Sequence, residues 1–180
     1  MTPSFFCHNL YLLVEGRTYI MEIRFAPKGR LEINGAKIIW RNFAGRKDEY
    51  NTEGKRKFSV IIPNEELANQ LIDDGWNVKV KAPREEGDDP FMYMDVKVNV
   101  KHNDPKIYLD TGNGRATIIP TDLIDQLDEL DIAYVDMDIN PYEWEMRGRS
   151  GKSAYLKCLY VYQNTDRFAM RMAAEESPEE

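Results

Sequence analysis

Short runs of alternating apolar and polar residues fill most of the chain. Met21–Phe25 and Gly29–Asn34 read as strands around the turn Ala26-Pro-Lys-Gly29. Ala36–Phe43 alternates Ile38 and Trp40 with Ile39 and Arg41, which predicts a strand with one apolar and one mixed face. Phe58–Ile62 is a second such strand. The connection between them, Gly45 to Gly54, is too long for a tight turn and predicts a hairpin arm. Asn77–Lys81 sets Val78 and Val80 against Asn77, Lys79 and Lys81. Asp95–Lys101 sets Val96, Val98 and Val100 against Asp95, Lys97, Asn99 and Lys101. Pairing these two with the valines inward gives Lys79, Lys81, Lys97 and Lys101 one common face. Ile107–Asp110, Arg115–Ile119, Ala133–Asn140 (Val135, Met137 and Ile139 on one face) and Ser153–Tyr162 complete the strands. Ala82–Pro90, Thr111–Gly114 and Pro141–Lys152 read as loops or turns.

Two segments follow the helical period instead. Asn64 caps a predicted helix that Gly75 stops, with Leu67, Leu71 and Ile72 on its buried side. Thr121–Asp131 is the other, with Thr121 as cap and Leu123, Ile124, Leu127 and Leu130 buried. Many short strands and two short helices predict a mainly β fold, an OB-like β-barrel or strongly bent sheet with an extended hairpin arm. Residues 21–172 form the expected single domain. Residues 1–20 are either an N-terminal extension or an added edge strand over Leu10–Val14. Residues 173–180 form an acidic tail expected to be disordered, since its last six positions contain four carboxylates and a proline.

Composition narrows the classes. At 180 residues the chain can bury one real core. Two cysteines and two histidines give neither a disulfide framework nor zinc spacing, and a reducing cytoplasm is the expected setting. The first twenty residues lack a basic leader and a long apolar run, so neither a signal peptide nor a membrane span is expected.

Charge changes the picture most. The formal net charge is −7, yet residues 40–58 hold six Lys/Arg against three acids, with four aromatics interleaved. Cations hold phosphates and aromatic faces stack on bases, so this mixture suits an unpaired nucleic-acid strand. The candidate binding residues are Lys37, Trp40, Arg41, Phe43, Arg46, Lys47, Tyr50, Lys55, Arg56 and Lys57, then Lys79, Lys81, Lys97 and Lys101, and Arg147, Arg149 and Lys152 in the glycine turn. Trp40, Phe43 and Tyr50 are the expected stacking surfaces; Phe58, Trp76 and Cys158 are expected in the core, and His102 in a turn.

No enzyme signature emerges. Asp136 and Asp138 point the same way from one strand near Asp131, a pattern that suits magnesium, but exposed strand acids without a partner Lys or His are commoner. The glycine turns at 112–114 and 148–151 fit neither phosphate-loop nor dinucleotide spacing. Cys7 and His8 are adjacent, which is poor geometry for a nucleophile and its base. No catalytic residue, metal or cofactor is expected.

Arg41-Asn-Phe-x-Gly45, Tyr50-Asn-x-Glu-Gly-x-Arg-x-Phe58, Asp74-Gly-Trp-Asn-Val-Lys79, Pro141-Tyr-Glu-Trp144 and the Gly148–Tyr155 segment resemble OB-fold single-stranded DNA-binding proteins of phage and prophage replication or recombination modules. The similarity spans residues 31 to 168. It implies an OB-like barrel, no cofactor and the host cytoplasm. The partners expected are single-stranded DNA or RNA, replication or recombination proteins docked through the acidic tail, and a second copy of the chain. The alternative is an acidic protein-interaction module that mimics DNA or inhibits a host defence protein, using Asp73, Asp74, Asp88, Asp89, Asp125, Asp128, Asp131, Asp136 and Asp138.

Overall fold

The computed structural model describes residues 12–14, 17–88, 90–112, 115–165 and 168. The acidic tail, the Cys7–His8 pair, Asp89 and the second half of the 111–114 turn lie outside them. Strands β1 (Leu12–Val14) and β2 (Arg17–Tyr19) pair with each other in a sheet of their own. All other strands belong to one sheet: β3 (Glu22–Phe25), β4 (Leu31–Ala36), β5 (Ile38–Asn42), β6 (Arg56–Ile62), β7 (Val78–Lys81), β8 (Phe91–Val98), β9 (Lys106–Asp110), β10 (Ala116–Ile119), β11 (Ile132–Met146) and β12 (Arg149–Gln163).

Among the described residues the order β3-β4-β11-β12-β8-β6-β5 has no closing ladder. β5, at one end of that order, and β4, next to the other end, are nevertheless neighbours in sequence, separated only by Lys37. One bent strand therefore pairs with β11 through its first half and with β6 through its second. The covalent chain bridges what hydrogen bonds leave open, and β8 lies parallel to β12 while the other neighbours on this circuit are antiparallel. This is the partly open five-stranded arrangement of an OB-fold. The bend coincides with Gly35 (φ +68), where an added Cβ would stand 3.0 Å from the Ile20 carbonyl oxygen.

Residues 141–146 and 149–152, expected in a turn, instead extend the β11–β12 hairpin. Met146 pairs with Arg149, and only Arg147 (φ 52) and Gly148 (φ 76) lie between. Two consecutive positive φ angles match the right-handed twist of the flanking strands, so two residues suffice to reverse the chain.

Helix α1 (Glu65–Asp73) starts as expected, with the Asn64 side chain accepting the Leu67 N–H at 2.8 Å. It ends in a Schellman arrangement. Gly75 (φ +97) donates to the Ile72 carbonyl, and Trp76 donates to that of Leu71. Ile72 is exposed, however, and Ala68 takes its place on the buried side. The second predicted helix is a 3-10 helix over Thr121–Asp128. Pro120 precedes it, and Thr121 does not cap it but bonds Asp104. The tighter turn leaves Leu123 exposed, while Ile124 and Leu127 stay buried.

The core lies inside the barrel: Leu31, Ile33, Phe58, Val60, Met94, Val96, Val135, Met137, Ile139, Leu159 and Val161, sealed by Leu71 and Trp76 on one side and Leu127 on the other. Cys158 is half-buried opposite Asp138, outside that core. Burial, with the Asp138 charge next, pushes its thiol pKa up. Val80 is 61% exposed because β7 pairs only with β8, at the margin of the sheet.

Candidate nucleic-acid interface

The register of β5 and β6 breaks between Ile39 and Asn42, and Trp40 sits at φ 49 inside that irregularity. A non-glycine residue in this region costs about 1–3 kcal/mol and persists only where its surroundings fix it. The result is an outward indole. Its ring lies edge-on to Tyr93 (centroids 4.9 Å, 87° between planes) and near Phe91 (5.9 Å), with Lys81 Nζ 5.3 Å from its centroid. Half of Trp40 remains open to solvent.

The arm between β5 and β6 forms one wall beside it. Gly54 donates to the Gly45 carbonyl at 2.8 Å, and Asp48 and Asn51 form a bridge beyond it. Buried asparagines fasten its base: Asn42 accepts the Arg46 N–H and donates to the Arg46 carbonyl, while Asn51 donates to the carbonyls of Arg46 and Lys55. The Arg46 and Lys47 side chains are exposed, with the Arg46 guanidinium 3.7 Å from the Glu129 carboxylate, and Tyr50 is 83% exposed at the tip.

The floor is the outer face of β6 and β8. Asp95 accepts from Ser59 Oγ at 2.6 Å and from Lys79 Nζ at 2.6 Å. Burial alone would raise the Asp95 pKa. The hydrogen bonds from Lys79 and Ser59, with the charges of Lys79 and Lys57, outweigh it and hold the carboxyl below its usual range. The bond to Asp95 raises the Lys79 pKa against the opposing effect of burial. Together these elements line one cleft of about 860 Å³ that contains Trp40, Arg46, Lys47, Tyr50, Lys57, Lys79, Lys81 and Tyr93, with Asp95, Asp128 and Glu129.

Of the residues picked from sequence, eight thus meet at this cleft, counting Arg41 and leaving out Tyr93, which sequence reasoning missed. Arg41 reaches it with a committed guanidinium, which donates to the carbonyls of Leu127 and Leu130, both at 2.8 Å. Phe43 must be corrected outright. It is fully buried and stacked on Phe58, with ring centroids 5.3 Å apart, so no base can reach it. Arg56 turns inward and donates to the Phe43 carbonyl at 2.6 Å. Lys55 is exposed on the arm outside the cleft lining, and Lys37 sits half-buried at the β4/β5 bend.

Lys97 extends the face, lying opposite Lys57 and 5.5 Å from the Tyr155 ring centroid. Lys101 does not, because β8 ends at Val98 and the chain turns there around the Asn99 side chain, which accepts the N–H groups of Lys101 and His102. Arg147 and Arg149 are exposed at the β11–β12 tip. Lys152, only 17% exposed, pairs with Asp74 at 3.2 Å and lies over Trp76. Tyr93 and Phe91 escaped sequence reasoning because the strand was started at Asp95. The signal was the odd-numbered series Phe91, Tyr93, Asp95, Lys97, which shares one face.

Several acids of the mimic reading are engaged within the molecule. Asp74 bonds Trp76 and Lys152, and Asp131 accepts from Asn164. Asp128 accepts the N–H groups of Phe43 and Ala44, and Asp136 accepts the Gly35 N–H and the Tyr162 O–H. Among the described residues no group of three or more His, Cys, Asp or Glu is placed to hold a metal ion. Likewise no helix among them is long and apolar enough to cross a membrane.

A bent five-stranded barrel with open aromatics and cations on the face of its second and third strands defines an OB-like protein with a strand-binding type of surface. The chain belongs to the phage ssDNA-binding domain family, whose model matches residues 21–179. Among solved structures it is similar to the single-stranded DNA-binding protein from bacteriophage Enc34 in complex with ssDNA. That match has 11% identity and a TM-score of 0.52, covering 90% of this chain and 99% of that one. A C-terminal truncation of the same Enc34 protein matches at 12% identity and TM-score 0.52, over 79% of this chain and 90% of that one. At these identities the likeness speaks to the fold. No curated protein sequence matches.

Proposed function

We propose that this member of the phage ssDNA-binding family lays an unpaired DNA strand along the Trp40 cleft, between the 43–55 arm and the β6–β8–β7 face, without strong sequence preference. One observation carries the reading: Trp40 and Tyr93 are brought into a single cleft with Arg46, Lys47, Lys57 and Lys81. In OB-folds this is the face, and the loop after the first strand the element, that grips oligonucleotides. Trp40 and Tyr50 offer stacking surfaces, while Arg46, Lys47, Lys57, Lys81 and Lys97 neutralise phosphates. Lys79, bonded to Asp95, joins them secondarily. Arg147 and Arg149, on the turn between the fourth and fifth barrel strands, suit a more distant phosphate, and Lys37 and Lys55 lie at the margins. The 21–172 span acts as the working domain. The setting is host cytoplasm during phage replication or recombination, with binding rather than catalysis as the activity.

Titration of a fluorescent single strand and a length-matched duplex, at low and then higher salt, tests this. Tight single-strand binding that fades with salt is expected. Equal affinity for duplex, or affinity flat in salt, would overturn it.

A further inference from the structure

Four acids line the cleft. Asp128 accepts the N–H groups of Phe43 and Ala44, Glu129 pairs with Arg46 and Asp48 accepts the Tyr50 N–H, which leaves Asp95 as the one on the strand floor. It stands on the cleft floor among Lys57, Lys79 and Lys81, and its charge repels a phosphodiester. Neutralising Lys79 is not all that its position allows. A carboxylate offers about four acceptor sites. Ser59 occupies one on Oδ1 and Lys79 one on Oδ2, and 27% of the side chain is still open to the cleft. The two bonds fix the group's orientation on a rigid strand. Tyr93, two residues earlier on the same face, stands edge-on to Trp40. A base stacked at that aromatic pair would share the cleft with Asp95.

We infer that Asp95 reads base edges, accepting a hydrogen bond from the exocyclic amino group of a stacked base and so favouring cytosine over uracil or thymine in the cleft. The inference rests on the strand path proposed above. Cytosine and uracil share a ring and stack alike, but cytosine carries an N4 amino donor where uracil carries the O4 acceptor. A carboxylate accepts from the first and repels the second. Adenine and guanine also carry amino groups, but their larger rings stack more strongly, so the pyrimidine pair isolates the effect. Phosphates contacted by Arg46, Lys47 and Lys57 position the strand without reading it.

The test is titration of the full chain with equal-length single strands of deoxycytidine and deoxyuridine, at fixed low salt and neutral pH. The parent protein should bind the deoxycytidine strand about five- to ten-fold more tightly, the lower end expected for one base-edge contact. Asp95→Asn should bind both strands more tightly, because a repelling charge is gone. It should also lose or invert the preference, because the Asn amide donates to O4. Lys79→Met removes the ion pair but leaves the carboxylate held by Ser59 on a rigid strand, and should retain the preference. Thermal melting checks that each variant is folded. Equal affinity of the parent for both strands, with binding still salt-sensitive, would overturn the inference and leave the strand path standing. A preference unchanged in folded Asp95→Asn would also overturn it. Failure of both strands to bind would remove the path itself, and the inference with it.

Discussion

Trp40 and Phe43 are three positions apart in one basic stretch, and the barrel gives them opposite uses. The bulge turns Trp40 out at the cost of a left-handed backbone, while the next turn of the strand drives Phe43 into the core against Phe58. Trp40→Ala should therefore weaken single-strand affinity by about 1–3 kcal/mol. Since the side chain is half open, the melting temperature should change little; a large loss of stability would assign Trp40 to packing instead. Tyr162 makes a different prediction at the same scale. Burial, then the Asp136 charge and the hydrogen bond to it, raises its phenol pKa well above the usual value. A raised folded-state pKa means stability that is fully present below the usual phenol range and is lost as pH rises through the folded value. Denaturant midpoints measured into the alkaline range should fall, and Tyr162→Phe should flatten that decline while costing some stability at neutral pH through the lost Asp136 bond.

Among the elements, the 43–55 arm depends on two glycines with different surroundings. Gly45 (φ +68) lies against its partner strand, where an added Cβ would stand 3.2 Å from Gly54 Cα and from Arg56 Cγ. Gly54 (φ +84) has nothing within 4 Å of that position. Gly54→Ala should cost only the backbone penalty, about 1–2 kcal/mol. Gly45→Ala should cost more and expose the arm to proteolysis between Arg46 and Glu53. Equal costs would mean that the arm's close approach contributes nothing. The arm itself was legible in sequence, because ten residues between two alternating strands leave few other shapes. So was the α1 stop at Gly75. The long β11–β12 hairpin was not: Pro141 and the Gly-Arg composition read as a turn, whereas Pro141 sits within the strand opposite Ala154. A two-residue Arg-Gly reversal carries a weaker signal than Asn-Gly. The meeting of Trp40 with Tyr93 was equally hidden, since it depends on β6 lying between β5 and β8, a pairing order that periodicity does not encode.

Over the whole molecule the formal charge is acidic, yet six Lys/Arg line the cleft against four acids, Asp48, Asp95, Asp128 and Glu129. Lysines on β6 and β7 share the cleft with the arm, while Asp74, Asp131 and Asp136 are engaged elsewhere. Net charge therefore opposes binding at long range, and the cleft favours it at contact. If Arg46, Lys47, Lys57, Lys81 and Lys97 each neutralise one phosphate, log K should fall with log salt at a slope of about −3.5, and each single Ala substitution should reduce that slope by about 0.7. A slope unchanged in all five variants would move the phosphates elsewhere. The circuit of the barrel also orders events in time. β4 waits for β11, about a hundred residues downstream, and β8 waits for β12. While the ribosome is still making residues before Ile132, the nascent chain already carries the whole aromatic and cationic face, yet both flanks of its sheet lack their partners. Pairings this distant in sequence form slowly and leave apolar surface uncovered meanwhile. The half that carries the cleft is thus made first but becomes dependable last, when the C-terminal hairpin docks, and a chain cut short before that hairpin would yield an aggregation-prone fragment in place of a smaller binding module.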